Sequence, residues 1–271
     1  MRRILLLTDF SEAANNAIHY AQHLWADFQC EFHLLHVVIS GQYTTESLLS
    51  SPPNENVYSA LLHKTKKELL QSFEELSANN QNAKHSFRYH LDHDDFLDAI
   101  HQVVVKENID VVVLGSNGAS NVKEVLFGTH ALNIMRRLPH NVLVVPDGFQ
   151  FRQVRRVLLL LDRSDHLHDL HIRRINDLIS TIDAQLYVLS VDPDSNANEL
   201  QIKEHFNKET PYHQVEGVPL EHAASTYAQT NGISLILMVG QMAGFVDRLR
   251  GNQGKTNLSK LYHMPLFLIR D

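Results

Sequence analysis

Gly115-Ser116-Asn117-Gly118, followed nine residues later by Gly128-Thr129, are the residues of this chain best suited to holding a ligand. They follow Ile109-Asp110-Val111-Val112-Val113-Leu114, which reads as a buried strand. Glycine just past such a strand lets a backbone approach a bound group closely. A Gly-Thr pair opening a helix offers N–H groups, a hydroxyl and the positive end of the helix dipole. The combination predicts a phosphate cradle, and therefore a nucleotide.

A cradle of this kind needs a sheet to carry it. Short β-branched runs alternate with helical patterns throughout the chain. Apolar strands alternating with helices predict an α/β fold with a parallel sheet covered on both faces. Five strands are expected near 3–8, 31–38, 85–91, 110–115 and 141–145, and five more near 155–161, 185–191, 212–216, 233–239 and 265–269. Ser11 is placed to cap a helix whose apolar face is Ala14, Ala17, Ile18, Ala21, Leu24 and Trp25. Leu97, Ile100 and Val104 mark a second such face.

The chain also repeats itself. Arg2-Arg3-Ile4-Leu5-Leu6-Leu7-Thr8-Asp9-Phe10-Ser11 returns as Arg155-Arg156-Val157-Leu158-Leu159-Leu160-Leu161-Asp162-Arg163-Ser164. The second, fourth and last strands of each half correspond as well. Two tandem doubly wound domains are expected, 1–147 and 154–271, joined near Asp147 to Gln153. Ser40 to Asn56 is polar and contains Pro52-Pro53. Such a segment suits a loop over the site and equally an inert connection.

Ligands of open parallel sheets bind outside the strand carboxyl ends, where the strand order reverses. Strands one and four flank that point, ending at Thr8-Asp9 and Leu114-Gly115. Asp9 is placed to accept hydrogen bonds from ribose hydroxyls or an adenine amino group. Val37 offers backbone groups and an apolar wall to the base. Gly115 and Gly118 allow close approach, and Gly128-Thr129 takes phosphates.

With these residues in place the first half resembles the universal stress protein family, in its nucleotide-binding branch. The family's motif is Gly, two residues, Gly, nine residues, then Gly with Ser or Thr, met here by Gly115, Gly118, Gly128 and Thr129. Thr8-Asp9-Phe10-Ser11-Glu12 and Leu35-His36-Val37 are similar to its strand-one and strand-two signatures. The resemblance implies the adenine nucleotide alpha hydrolase-like fold, with strand order 3-2-1-4-5 in each domain. It implies ATP or another adenine nucleotide as ligand, compatible with Mg on the phosphates, and a stress-response or regulatory role. It places the nucleotide on Thr8, Asp9, Val37, Leu114, Gly115, Gly118, Gly128 and Thr129, with Ser116, Asn117 and His130 on the same loops. It also implies an internal pseudo-dimer, Val142–Val145 pairing with Leu266–Ile269, and a homodimer as a further level of assembly. The bland alternative is that the glycines only make tight turns, but the matched spacing exceeds what turn chemistry needs.

The second half departs from the motif. Alignment puts Val239 at Gly115, Met242 at Gly118, Asn252 at Gly128 and Gln253 at Thr129. Side chains at Val239 and Met242 would occupy phosphate space, so weak or absent nucleotide binding is expected there even though Asp162 persists. Gly251-Asn252-Gln253-Gly254-Lys255-Thr256 ends like a P-loop, but Leu249 stands where that motif needs its first glycine. The 18 histidines cluster at His90 to Asp95 and at His166, His168 and His171. Such groups can bind divalent metals; with no cysteine pair, polar surface is the preferred reading and no metal site is assigned. His33 and His36 are expected to be packed or bonded to neighbouring backbone.

The formal net charge of −7 leaves no overall basic footprint for nucleic acid. No apolar run is long enough to span a bilayer. A single cysteine, Cys30, excludes an internal disulfide and suits a reducing, cytoplasmic setting. An enzyme, either a slow ATPase or a nucleotide transferase, is the first alternative, with His130 or Lys123 as contributors. Ser-Gly-Gly-x-Asp-Ser and His-x-Gly-His, which mark adenylating relatives, are absent. No catalytic residue is assigned. A module that binds other molecules and no nucleotide is the second alternative.

Overall fold

A computed structural model describes residues 1–38, 57–116, 128–163, 165–193, 196–206, 209–240 and 263–270. The strands are β1 (Arg2–Leu7), β2 (Cys30–Val37), β3 (His85–Asp92), β4 (Val111–Gly115), β5 (Val142–Val145), β6 (Arg156–Leu161), β7 (Gln185–Val191), β8 (Tyr212–Val215), β9 (Leu235–Val239) and β10 (Leu266–Ile269). The helices among the described residues are α1 (Glu12–Leu24), α2 (Val57–Asn79), α3 (Phe96–Glu107), α4 (Thr129–Arg137), α5 (Asp169–Thr181), α6 (Ala197–His205) and α7 (Leu220–Asn231).

The strands form one ten-stranded sheet in the order β3-β2-β1-β4-β5-β10-β9-β6-β7-β8. Each half therefore has the order 3-2-1-4-5, as expected, and every pairing within a half is parallel. The halves join through antiparallel β5 and β10, with Val144 opposite Leu266, Leu143 opposite Phe267 and Val142 opposite Leu268. This is the strand pairing expected across the halves. Because the seam is antiparallel, the carboxyl ends of the first half's strands and those of the second half lie at opposite edges of the sheet.

Alternating residues of each strand feed two core layers. Leu5, Leu7, Val112, Leu114, Val142 and Val144 pack on α3 and α4, in one layer with Leu158, Leu160, Ile236 and Leu266. Ile4, Leu6, Val111, Val113, Leu143 and Val145 pack on α1, in one layer with Val157, Leu159, Leu235 and Phe267. Both layers cross the seam. The segment between Val145 and Arg156 carries no strand or helix, and its Phe149 and Phe151 rings meet Tyr20 of α1 at 5.9 and 5.3 Å. Among the described residues no helix is long and apolar enough to cross a membrane.

Candidate functional site

The carboxyl ends of β1 and β4 lie side by side because β1 pairs with β4 in register Ile4–Val111, Leu5–Val112, Leu6–Val113. From β1 the chain turns sharply into α1. Thr8 Oγ1 accepts from the Phe10 N–H at 3.0 Å, Asp9 Oδ1 accepts from the Ser11 N–H at 3.1 Å, and Ser11 Oγ accepts from the Ala14 N–H at 3.2 Å. These overlapping side-chain bonds begin the helix, with Ser11 its N-cap as expected. Between them Phe10 sits at φ 64°, a left-handed conformation costly for a bulky residue. Its ring stacks on His36 at 4.5 Å, and His36 Nδ1 donates to the Thr8 carbonyl at 2.8 Å. Burial, opposed by that bond and by Asp9, holds His36 below the ordinary imidazole range, so the ring is neutral. Asp9 itself is exposed at the rim.

Gly115 closes β4 for a reason the motif does not state. A Cβ there would lie 2.8 Å from the Ala13 carbonyl oxygen and 3.2 Å from the Ala13 Cβ. The glycine lets the first turn of α1 rest on the strand end, which in turn sets where Asp9 stands. Ser116 is buried; its Oγ accepts from the Asp147 N–H at 3.2 Å and its N–H donates to the Val145 carbonyl at 2.8 Å. Its side chain thus braces the end of β5.

Gly128 returns to the same spot. Its N–H donates to the Ser116 carbonyl at 2.7 Å, pinning together the two ends of segment 117–127. The N–H of Gly128 is therefore taken up within the protein. The first intrahelical bond of α4 runs from the Leu132 N–H to the Gly128 carbonyl at 3.0 Å. The N–H groups of Thr129, His130 and Ala131 have no intrahelical acceptor and remain as the donors of the helix N-terminus. Gly128 has φ −60°, which any residue can adopt, so its value here lies in lacking a side chain. His130 is exposed, its ring edge-on to Phe96 at 4.7 Å. Leu114 and Val37 are buried at their strand ends.

The structure thus brings Thr8, Asp9, Val37, Leu114, Gly115, Ser116, Gly128 and His130 to one edge. Asn117, Gly118 and the Thr129 side chain lie outside the described residues, as do Lys123 and the loop from Ser40 to Asn56. Sequence reasoning missed Phe10, whose left-handed backbone no residue type announces.

The second half is built differently at the matching edge. Strand register confirms Val239 as the counterpart of Gly115, since Val157–Leu235 and Leu159–Leu237 repeat Ile4–Val111 and Leu6–Val113. Val239 is buried. α5 does not begin at the position of Ser164; it starts at Asp169 after a longer connection in which the Asp162 N–H donates to Asp165 Oδ2 at 2.8 Å. Gly240, the counterpart of Ser116, keeps that residue's bond across the sheet, its N–H donating to the Ile269 carbonyl at 3.1 Å. Met242, Asn252, Gln253 and the P-loop-like segment 251–256 lie outside the described residues.

His33, His90, His168 and His171, from the two histidine-rich stretches and β2, have structural partners. His33, fully buried, donates from Nε2 to Glu31 Oε2 at 3.2 Å and accepts at Nδ1 from His90 Nε2 at 2.9 Å. The His168 N–H donates to His171 Nδ1 at 3.4 Å at the start of α5. Among the described residues no three His, Cys, Asp or Glu side chains gather as metal ligands.

Comparisons with known proteins agree with this architecture. A model of the universal stress protein family matches residues 1–146. The universal stress protein MJ0577 of Methanocaldococcus jannaschii is 26% identical over 152 residues, 53% of this chain and 94% of that protein. Two solved structures share the fold across both halves. A universal stress protein from Archaeoglobus fulgidus covers 99% of this chain and 98% of its own at TM-score 0.67 and 15% identity. A functionally unknown protein from Pseudomonas aeruginosa covers 100% of this chain and 92% of its own at TM-score 0.60 and 17% identity. With the family model spanning more than half its length, the chain belongs to the universal stress protein family.

Proposed function

We propose that this protein binds an adenine nucleotide (ATP, ADP or AMP) in its first half and uses occupancy of that site to regulate a stress response. One observation carries the reading: the exposed Asp9 carboxylate, after β1, and the N-terminus of α4, held to the end of β4 by the Gly128–Ser116 bond, stand at one sheet edge. A carboxylate acceptor suits ribose hydroxyls or the adenine amino group. The N–H groups of Thr129, His130 and Ala131 suit phosphate oxygens. Val37 and Leu114 supply the apolar floor, Thr8 shapes the turn, and Asn117 and Gly118 complete the phosphate loop. Mg would be held through the phosphates, with no protein cage required.

In this reading the units are 1–147 and 154–271, the second serving architecture with its motif degenerate. The whole works in a reducing cytoplasm, with self-association into a homodimer as a further level of assembly. Binding without efficient turnover is favoured over a slow ATPase, because the motif requires no catalytic base and the His130 ring packs edge-on against Phe96.

The test is to denature freshly purified protein and identify released nucleotide by mass spectrometry. Titration of the emptied protein with ATP, ADP and adenosine by calorimetry follows. Co-purifying nucleotide, or binding that Asp9→Ala weakens without loss of the folded state, supports the reading. Absence of both would sink it.

A further inference from the structure

We infer that Arg270 is a positioning residue that sets the affinity of the first-half site from the second half; this rests on the nucleotide reading above. Arg270 follows β10 and is buried, 5% exposed. Its Nη1 donates to the Gly240 carbonyl at 2.9 Å and its Nη2 donates to the Met135 carbonyl. Its main chain is held too: the Arg270 N–H donates to Asn141 Oδ1 at 3.1 Å, and Arg174 of α5 donates to the Arg270 carbonyl.

The Met135 carbonyl is among the last four of α4, which stops at Arg137 with Leu138 already extended at ψ 120°. Its α-helical donor would be the N–H of the residue four places on, which is Pro139. Proline has no N–H and disfavours the α conformation at Leu138, so α4 does not run on to cover this carbonyl. Arg270, from the other half of the molecule, donates to it instead. The corresponding residue of the first half is Pro146, which has no side-chain donor to offer.

The other end of Arg270's fork matters equally. Gly240 is the counterpart of Ser116. In the first half that carbonyl is closed by the Gly128 N–H; in the second it is closed by Arg270. α4 is nine residues long, about 13 Å at the α-helical rise, which matches the depth of the sheet. Its N-terminus stands at the nucleotide edge and its C-terminus at the opposite edge, where Gly240 begins the second half's own degenerate loop. Arg270 therefore ties the helix that would carry phosphates to the first residue of that loop. A ligand or partner that moves Gly240 moves α4, and nucleotide binding moves Gly240 in return, as linkage requires.

The experiment compares full-length protein with Arg270→Met, Arg270→Lys and the double variant Arg270→Met with Pro139→Ala. ATP and adenosine affinities are measured by calorimetry, and backbone protection of α4 by hydrogen exchange in the same samples. Arg270→Met should weaken ATP by at least about fivefold, the lower end of ordinary coupling, and leave adenosine unchanged, since adenosine does not reach α4. Arg270→Lys, which reaches one carbonyl, should lie between, and it serves as the test should the methionine variant fail to fold. Pro139→Ala returns an N–H at position 139 and frees Leu138 to become helical, so α4 can extend to bond Met135 and the double variant should recover part of the loss. Equal weakening of ATP and adenosine, or α4 protection unchanged by either substitution, overturns the inference. If the parent protein binds neither ligand, the nucleotide reading falls, and α4 exchange alone still decides whether Arg270 holds the helix.

Discussion

At the scale of single residues, Gly115 seats α1 on the end of β4 through one missing carbon. A Cβ would lie 2.8 Å from the Ala13 oxygen and 2.9 Å from its carbonyl carbon, both backbone atoms that cannot swing aside. Gly115→Ala should push α1 off the strand and cost about 1–3 kcal/mol, as overpacking does. Urea denaturation reads this directly; a midpoint equal to the parent's would show that α1 gives way freely. The glycine was legible as a glycine of the motif, but which backbone approaches it was not, since a sequence names the small residue and not its neighbour. Asp9 and Ser11 were legible because capping chemistry is local. Phe10 was not: its φ of 64° is imposed by the tight turn between Thr8 and Ser11, against the preference of its own side chain.

Elements were legible where periodicity is strong. The strand expected at 110–115 is Val111–Gly115, and that expected at 185–191 is Gln185–Val191. The match of Ser164 to Ser11 does not carry over to the helix start, because the added connection of the second half holds Leu167 in the core and Asp165 against the Asp162 N–H, and α5 begins at Asp169. The β2–β3 edge contains a relay that periodicity cannot reveal. Arg88 Nε meets Glu31 Oε1 at 2.8 Å, and Arg3 lies 3.5 Å from the other carboxylate oxygen. Burial would raise the Glu31 carboxyl, but His33 and Arg88 together hold it below its ordinary range.

Both imidazoles of that relay are pushed down, His33 by burial against the pull of Glu31, His90 by burial and by His33. A base whose folded pKa is depressed is neutral in the fold, while the unfolded chain takes up protons first. Its contribution is complete above about pH 6.5, the ordinary imidazole value, and is lost as pH falls below it. His36, His85 and His140 are shifted the same way by burial and add to the slope. The urea midpoint should therefore fall between pH 7 and pH 5, and His90→Asn should flatten the fall. A midpoint constant over that interval would refute the relay's role.

At the scale of the whole molecule, the two core layers run uninterrupted through the β5–β10 seam. Leu143 and Phe267 share one layer, while Val142 and Leu268 share the other. Arg2 also bridges the halves, donating to Asp177 at 2.6 Å and to Thr181 at 2.7 Å. Unfolding should consequently be one transition, with calorimetric and van't Hoff enthalpies equal. Two resolved transitions would mean the halves hold together more weakly than the shared layers imply. The repeat was legible from the paired strand sequences, and the pairing of the last strands followed from the family resemblance; it covers an apolar edge that each half would otherwise leave open. The tie made by Arg270 was not, because it joins residues far apart in the chain that no pattern links.

The segment from Val145 to Arg156 has a consequence for mass action. Two separate chains that met through their last strands would come apart on dilution. Here the partner edge is covalently attached, and a short connection holds it at an effective concentration of about millimolar. The seam should persist at any protein concentration, and the ratio of intact to degenerate motif is set by the chain itself, one to one in every molecule.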